Sequence, residues 1–199
     1  MKTRPVESMR RHPTNLAVGA RRRKPWLVAG PLAAGLVMLT WLLAFGLTRN
    51  PDAYRNPLVG RAAPALELRS LSGGGAVRLS QFRGQVLVVN FWASWCNACA
   101  TEHPALAEAW HRYRDQGVVV LGVVYRDSAP DARLFLRELG GGWPEAVDAG
   151  SRTALAYGVR GAGETFFVSP SGRIAAWHAG PVSYRLLSSR IHRLLGREQ

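Results

Sequence analysis

The sequence predicts an α/β domain with parallel central strands, joined at its N-terminal side to a membrane-spanning helix. Three observations carry this. Two Val-rich apolar runs, Gln85 to Trp92 and Val118 to Tyr125, are separated by a segment with helical spacing. The 23 residues from Trp26 to Thr48 contain no charge and follow a basic cluster. A chain of 199 residues accommodates one ordinary hydrophobic core and an appendage. At 47% hydrophobic and 20% charged residues the composition is that of a globular chain, which excludes wholesale disorder, and two cysteines exclude a disulfide-dense scaffold.

Residues 1–25 form a basic tail with eight Lys and Arg side chains against Glu7 alone. Residues 26–48 follow as the span: at about 1.5 Å rise per residue they cross a hydrocarbon core roughly 30 Å thick. Arg21, Arg22, Arg23 and Lys24 lie immediately before the span, so the positive-inside rule places the tail in the cytoplasm and the rest of the chain outside. A cleaved signal peptide has an apolar region of only about 7 to 15 residues, shorter than this one. The net charge of +13 would ordinarily raise nucleic-acid binding. Topology accounts for the basic run, however, and from residue 58 onward 16 basic residues face 11 acidic ones, so no nucleic-acid partner is expected.

Residues 49–57 contain Asn50-Pro51 and Asn56-Pro57, which favour extended or turn conformations and predict a short linker. The domain then occupies residues 58–199. Leu66 to Leu68 and Ala76 to Leu79 predict a small hairpin. Gln85 to Trp92 predicts a strand buried on both faces, and Ala98 to Arg114 a helix with Leu106, Ala109, Trp110 and Tyr113 on one side, ending near Gly117. With Val118 to Tyr125 these make a right-handed βαβ unit. Further helices are expected at Ala129 to Leu139, closed by Gly140, and at Arg152 to Tyr157. Thr165 to Ser169 and Arg173 to His178 predict a second hairpin around Pro170-Ser171-Gly172, and Tyr184 to Leu195 a final amphipathic helix.

Cys96 and Cys99 are the only cysteines, and their spacing carries the chemistry. They stand after a buried strand and at the start of a helix, where unpaired N–H groups and the positive dipole end favour a thiolate. Cys96 is then expected as a nucleophile whose pKa lies below the free value of about 8.5. Cys99, one turn on, is placed to attack a mixed disulfide and release the product. Zinc would need further ligands, and His103 and His111 lie on the same helix while His12 is across the membrane. Haem attachment would need His where Ala100 stands. A static disulfide is the remaining alternative, although so small a loop removes little chain entropy. A peroxidase is disfavoured because nothing around Cys96 forms a Thr-Cys-Arg arrangement. No cofactor and no metal are expected.

The stretch Phe91-Trp92-Ala93-Ser94-Trp95-Cys96-Asn97-Ala98-Cys99, with Glu102 and Pro104 following, resembles the active-site segment of membrane-anchored thioredoxin-like proteins of the ResA and TlpA kind. It is most similar to the cytochrome c maturation reductases (DsbE/CcmG). The resemblance extends to Leu58-Val59-Gly60 before Pro64, to Gly122 through Asp127, to Gly158 through Phe166, and to His178-Ala179-Gly180. It implies a thioredoxin-like fold, a single-pass anchor in the cell inner membrane, and a reducing role in the periplasm. It further implies reducing equivalents from a membrane thiol transporter of the DsbD or CcdA type. They would pass to the CxxCH cysteines of apocytochrome c or to a cytochrome maturation protein.

By this resemblance Cys96 attacks and Cys99 resolves as the redox-active disulfide. Glu102 matches an acidic position of the motif and, three residues past Cys99, lies on the same helical face, where it would trade a proton with that thiol. Trp95, Gly163, Glu164 and Thr165 are the expected substrate-binding positions. Gly163 stands where the family has a cis-proline. Without proline a cis bond costs about 2.5–4 kcal/mol, so a trans bond is expected there. Two other readings use the same residues: a related reductase for copper-site cysteines, and a non-catalytic copper-binding module.

Overall fold

The computed structural model describes residues 26–47 and 56–196. They belong to two units divided between Asn50 and Pro51. In the first, helix α1 runs over Trp26–Leu47, 22 residues rising about 33 Å. Among the described residues no helix is long and apolar enough to cross a membrane. The side chains of α1 are described only over residues 34–44, all of them exposed, about half of the ~20 residues that a span requires. The expected basic tail at residues 1–25 and most of the linker at 49–57 lie outside the described residues.

The second unit is a seven-stranded sheet in the order β2-β1-β5-β4-β3-β6-β7. Its strands are β1 (Glu67–Ser70), β2 (Ala76–Arg78), β3 (Val86–Trp92), β4 (Val118–Tyr125), β5 (Glu145–Asp148), β6 (Glu164–Val168) and β7 (Ile174–Ala179). Its helices are α2 (Asn97–Tyr113), α3 (Ala129–Leu139), α4 (Arg152–Ala156) and α5 (Tyr184–Leu194). β3 and β4 pair in parallel from Val86 opposite Val118 to Trp92 opposite Val124. Strand periodicity sends Val86 and Val88 to the face packed with Leu106, Ala109 and Tyr113 of α2 and Leu187 and Ile191 of α5. It sends Leu87, Val89 and Phe91 to the opposite face, with Tyr157 and Phe166. The rings of Phe91, Tyr157 and Phe166 meet there at centroid distances of 5.2–5.7 Å. Every residue of β3 is buried, which is why the run, Asn90 apart, is apolar without alternation. Burial of each such side chain stabilises by about 1.5–3 kcal/mol.

The helices begin and end where local chemistry dictates. Ser128 caps α3 by accepting from Asp131 N, and Ser183 caps α5 by accepting from Leu186 N. After α2 a short 3-10 turn ends at Gly117, whose φ of 79° suits glycine. One element departs from the sequence reading: β5, not expected as a strand, pairs in parallel with β4 and antiparallel with β1. It thereby joins the β1–β2 hairpin to the sheet. With four residues and an acid at each end, it offers neither an apolar run nor β-branched enrichment. At the other boundary, Asn56 is buried and belongs to the folded unit. Its Nδ2 donates to the Tyr157 carbonyl at 3.0 Å, and its Oδ1 accepts from Leu58 N at 2.9 Å.

Candidate functional site

The site is assembled where β3 ends and α2 begins. The chain leaves Trp92 through Ala93, Ser94 and Trp95, and Cys96 becomes the N-cap of α2 in extended conformation. Its Sγ accepts from the backbone N–H of Cys99 at 3.1 Å, so one of the free amide groups of the helix start is aimed at sulfur. A disulfide joins Cys96 to Cys99, with Cα atoms 5.2 Å apart. Both are buried, Cys96 at 8% exposure and Cys99 at 2%, among Trp92, Ala93, Val124, Ala132 and Phe135. Cys96, the N-terminal cysteine, is the more exposed residue of the two.

Two neighbouring segments hold this corner. Ser94 N–H donates to Asp127 Oδ2 at 2.6 Å, and the Trp95 indole N–H donates to the Arg126 carbonyl at 3.0 Å. Trp95 nevertheless remains 59% exposed beside the cysteines. On the other side lies Gly163, the predicted departure. No cis peptide bond occurs among the described residues, and Gly163 has φ +89°. A side-chain carbon built there would stand 3.8 Å from Cys99 Sγ, which places this backbone directly against that sulfur. Its N–H donates to the Phe91 carbonyl at 2.7 Å, and its own carbonyl accepts from Gly180 N at 2.8 Å. The segments Gly163 to Thr165 and His178 to Gly180, singled out in the sequence, thus pair with each other: Glu164 lies opposite Ala179 and Thr165 opposite His178.

Three carboxylates are buried in or near this framework, each for a different reason. Glu164 Oε1 accepts from Arg160 N at 2.7 Å and Gly161 N at 3.1 Å, and Oε2 from the Trp177 indole at 2.7 Å. It fixes the loop that precedes Gly163. Glu102 Oε1 accepts from Asn90 Nδ2 at 2.8 Å and Oε2 from Val182 N at 3.0 Å; burial holds its pKa above the usual carboxylate range. Asn90 also donates to Thr165 Oγ1 at 3.1 Å, so Glu102, Asn90 and Thr165 form one buried network. Glu164 and Thr165, expected among the substrate-binding positions, contribute their side chains to this framework. They are 4% and 0% exposed and face inward, because the loop and network need their oxygens. The third carboxyl, Glu145, lies over Gly122, where any Cβ would come within 2.0 Å of Oε2. Oε2 accepts from the Trp92 indole at 2.8 Å, and Oε1 has no hydrogen-bond partner among the described residues. Burial raises its pKa to about 8, so it is mostly protonated at neutral pH. His103 is buried beneath the same layer, with its ring against Phe135 and Trp143 and its Nε2 3.0 Å from the Gly140 carbonyl. Burial lowers its pKa.

The AhpC/TSA family pattern matches residues 59–177. The thiol:disulfide interchange protein HelX of Rhodobacter capsulatus is 35% identical over 76% of this chain and 85% of its own length. The thiol:disulfide interchange protein DsbE of Escherichia coli is 30% identical over 84% and 89%. The chain belongs to the DsbE/HelX thiol:disulfide interchange proteins, within the AhpC/TSA family. The crystal structure of a thiol:disulfide interchange protein DsbE from Chlorobium tepidum superimposes with a TM-score of 0.63 at 29% identity, over 68% of this chain and 96% of that one. The fold is thioredoxin-like. A DsbE-type chain with a buried CxxC pair capping a helix is a thiol:disulfide oxidoreductase.

Of the residues singled out in the sequence, the structure brings Cys96, Cys99 and Gly163 together, leaves Trp95 exposed next to Cys96, and buries Glu102, Glu164 and Thr165. Sequence reasoning missed Asn90, Asp127, Arg126 and Glu145. Asn90 carried a signal, being the one polar residue between Val86 and Trp92. The other three depend on contacts across β3, β4 and β5 that no local pattern announces.

Proposed function

We propose that this protein is a periplasmic, membrane-anchored reductant in cytochrome c biogenesis, with Cys96 as nucleophile and Cys99 as resolving thiol. The observation that supports it most is the Cys96 sulfur at the N-cap of α2, accepting the Cys99 N–H, in a DsbE-type chain. In the reduced protein that N–H and the helix dipole favour a thiolate on Cys96. The thiolate attacks one sulfur of a substrate disulfide, forms a mixed disulfide and expels the other substrate sulfur as thiolate. Cys99, deprotonated, then attacks Cys96 Sγ. The second substrate sulfur leaves, and the Cys96–Cys99 disulfide forms with the two electrons given up. Glu102, buried three residues beyond Cys99, takes up the proton that Cys99 loses. Trp95 and the Gly163 backbone frame the surface on which substrate lies.

The substrate class is a polypeptide disulfide such as that of an apocytochrome CxxCH segment, or of a maturation partner. A membrane dithiol transporter of the DsbD or CcdA type re-reduces Cys96–Cys99. The uncharged run at residues 26–48 and the basic cluster before it support an inner-membrane anchor with the folded unit outside. With an oxidised CxxCH peptide, Cys99→Ser should accumulate a mixed disulfide through Cys96, and Cys96→Ala should lose exchange altogether; exchange retained by Cys96→Ala overturns the assignment. A reduction potential near or below about −270 mV accords with a reductant, whereas one near about −120 mV would make the protein an oxidant and withdraw the biogenesis role.

A further inference from the structure

One buried titratable group is left unused by the exchange chemistry. Glu145 is buried, and its Oε1 has no hydrogen-bond partner among the described residues, a costly arrangement that calls for a reason. Its place follows from strand register. Asn90 of β3 lies beside Gly122 of β4, and Gly122 beside Glu145 of β5, so the three share one face of the sheet. Because Gly122 has no side chain, the Glu145 carboxyl occupies that position. It therefore stands next to Asn90, which donates to Glu102 at 2.8 Å, three residues beyond Cys99. It also accepts from the Trp92 indole at 2.8 Å, and Trp92 belongs to the packed cluster that contains Cys96 and Cys99. His103, on the helix that the cysteines begin, completes the layer. Its ring lies 5.5 Å from Phe135 and 5.0 Å from Trp143, and Phe135 lies 4.8 Å from Trp92.

No Lys or Arg among the described residues is buried, so this layer holds no fixed cation. From α2, Glu102 and His103 face Glu145, and burial keeps His103 neutral at ordinary pH. α3 and β1 offer only the exposed Arg133, Arg137 and Arg69, and Asp148 of β5 accepts from Ala154 N on the other face. We propose that Glu145 is a positioning residue of the dithiol, holding Trp92 in the cysteine cluster and exchanging a proton when the pair changes redox state. This rests on the thiol:disulfide exchange reading with Cys96 as thiolate, and adds a proton-linked group to it. Two electrons from a donor dithiol break the Cys96–Cys99 bond, while the donor's sulfurs join as a disulfide and release their protons. Cys99 takes up one proton and Cys96 keeps a negative charge. An ionised Glu145 takes up a second proton, because two like charges in one water-poor layer disfavour each other. Glu145 lines a cavity of about 660 Å³ with Arg133, Leu136, Arg137 and Trp143, which gives that proton a way to solvent. By linkage, ionised Glu145 makes the pair harder to reduce and hence a stronger reductant.

The test equilibrates the full chain and its Glu145→Gln variant with dithiothreitol in the same buffers, from about pH 6 to about pH 9.5. That range brackets the Glu145 pKa of about 8, and thiol alkylation reads the dithiol fraction. Glu102 and His103 are present in both proteins, so their own titrations cancel in the ratio of the two equilibrium constants, as does the reference couple. The ratio should be level at the acid end and then move about fivefold or more towards the disulfide in the wild type as pH rises. A role confined to packing shifts the ratio equally at every pH. A ratio without pH dependence, whatever its value, or one that moves the other way, therefore overturns the inference. Should Glu145→Gln fail to fold, Glu145→Leu, which cannot ionise either, carries the same comparison. A wild type whose cysteines do not interconvert with dithiothreitol overturns the exchange reading itself, and this inference with it.

Discussion

Replacing Glu145 with Gln should change how stability depends on pH, and the structure gives the size. Glutamine has nearly the same volume and keeps an oxygen for the Trp92 indole that Glu145 Oε2 now accepts at 2.8 Å, but it cannot ionise. In the folded protein burial raises the Glu145 pKa from 4.5 to about 8; in the unfolded chain it returns to the ordinary value. Between these limits the native state binds more protons than the unfolded state, so stability is greatest below about pH 4.5 and falls as pH rises towards 8. At about 1.4 kcal/mol per pH unit that interval amounts to at most about 5 kcal/mol, a large part of a typical domain's 5–15 kcal/mol. Urea unfolding of wild type and Glu145→Gln, followed by circular dichroism across pH 4.5 to 8, isolates the contribution because all other groups cancel in the difference. The variant should gain on the wild type steadily as pH rises, and the gap should level off above about pH 8. Parallel curves would refute the reasoning, since they would mean that the carboxyl ionises in the fold as easily as in water.

Two further substitutions follow from hydrogen bonds at the site. Gly163→Pro cannot adopt φ +89° and removes the N–H bonded to Phe91 at 2.7 Å, so it should destabilise by at least about 3 kcal/mol in urea unfolding. Gly163→Ala, whose Cβ meets Cys99 Sγ at an ordinary 3.8 Å, should cost only about 1–2 kcal/mol, from the backbone angle; a proline variant as stable as the alanine one would show that this φ is not required. Glu102→Ala leaves Val182 N and one Asn90 proton unpaired and should cost on the order of 2–4 kcal/mol, seen as a lowered calorimetric Tm. Because burial raises the Glu102 pKa, the cost of that substitution should also shrink as pH rises above the ordinary carboxylate range.

What the sequence made legible was what depends on neighbours in the chain. β3, β4 and α2 follow from period and capping, and Cys96 at a helix start follows from a strand, a short turn and an Ala-rich segment. The burial of Glu102 was not legible. Its spacing from Cys99 placed it on the right helical face, but whether that face meets solvent depends on Val182, 80 residues away. β5 was hidden for a related reason: four residues with acids at both ends become a buried strand only because β1 and β4 flank them. Glu145 is tolerated there because residue 122 is glycine, a compatibility between two strands that neither shows alone.

Three locally unusual features of this fold lie around the dithiol. Arg126 in the left-handed region, Gly163 at φ +89° and Asn90 inside an apolar strand all lie around the β3–α2 junction. Elsewhere the unit has serine caps, glycine where the chain turns and alternating faces, with Ser151 at φ +52° before α4 as a further non-glycine residue in the left-handed region. Valine at position 90 would leave the buried Glu102 Oε1 without its donor, so the third feature is not free to become apolar. Each does something the cysteines need. Arg126 turns its carbonyl to Trp95 beside Cys96, Gly163 brings bare backbone to within van der Waals reach of Cys99, and Asn90 ties Glu102 to Thr165 behind the pair. These three features frame the dithiol, and of them only the Arg126 backbone carries strain that glycine would relieve.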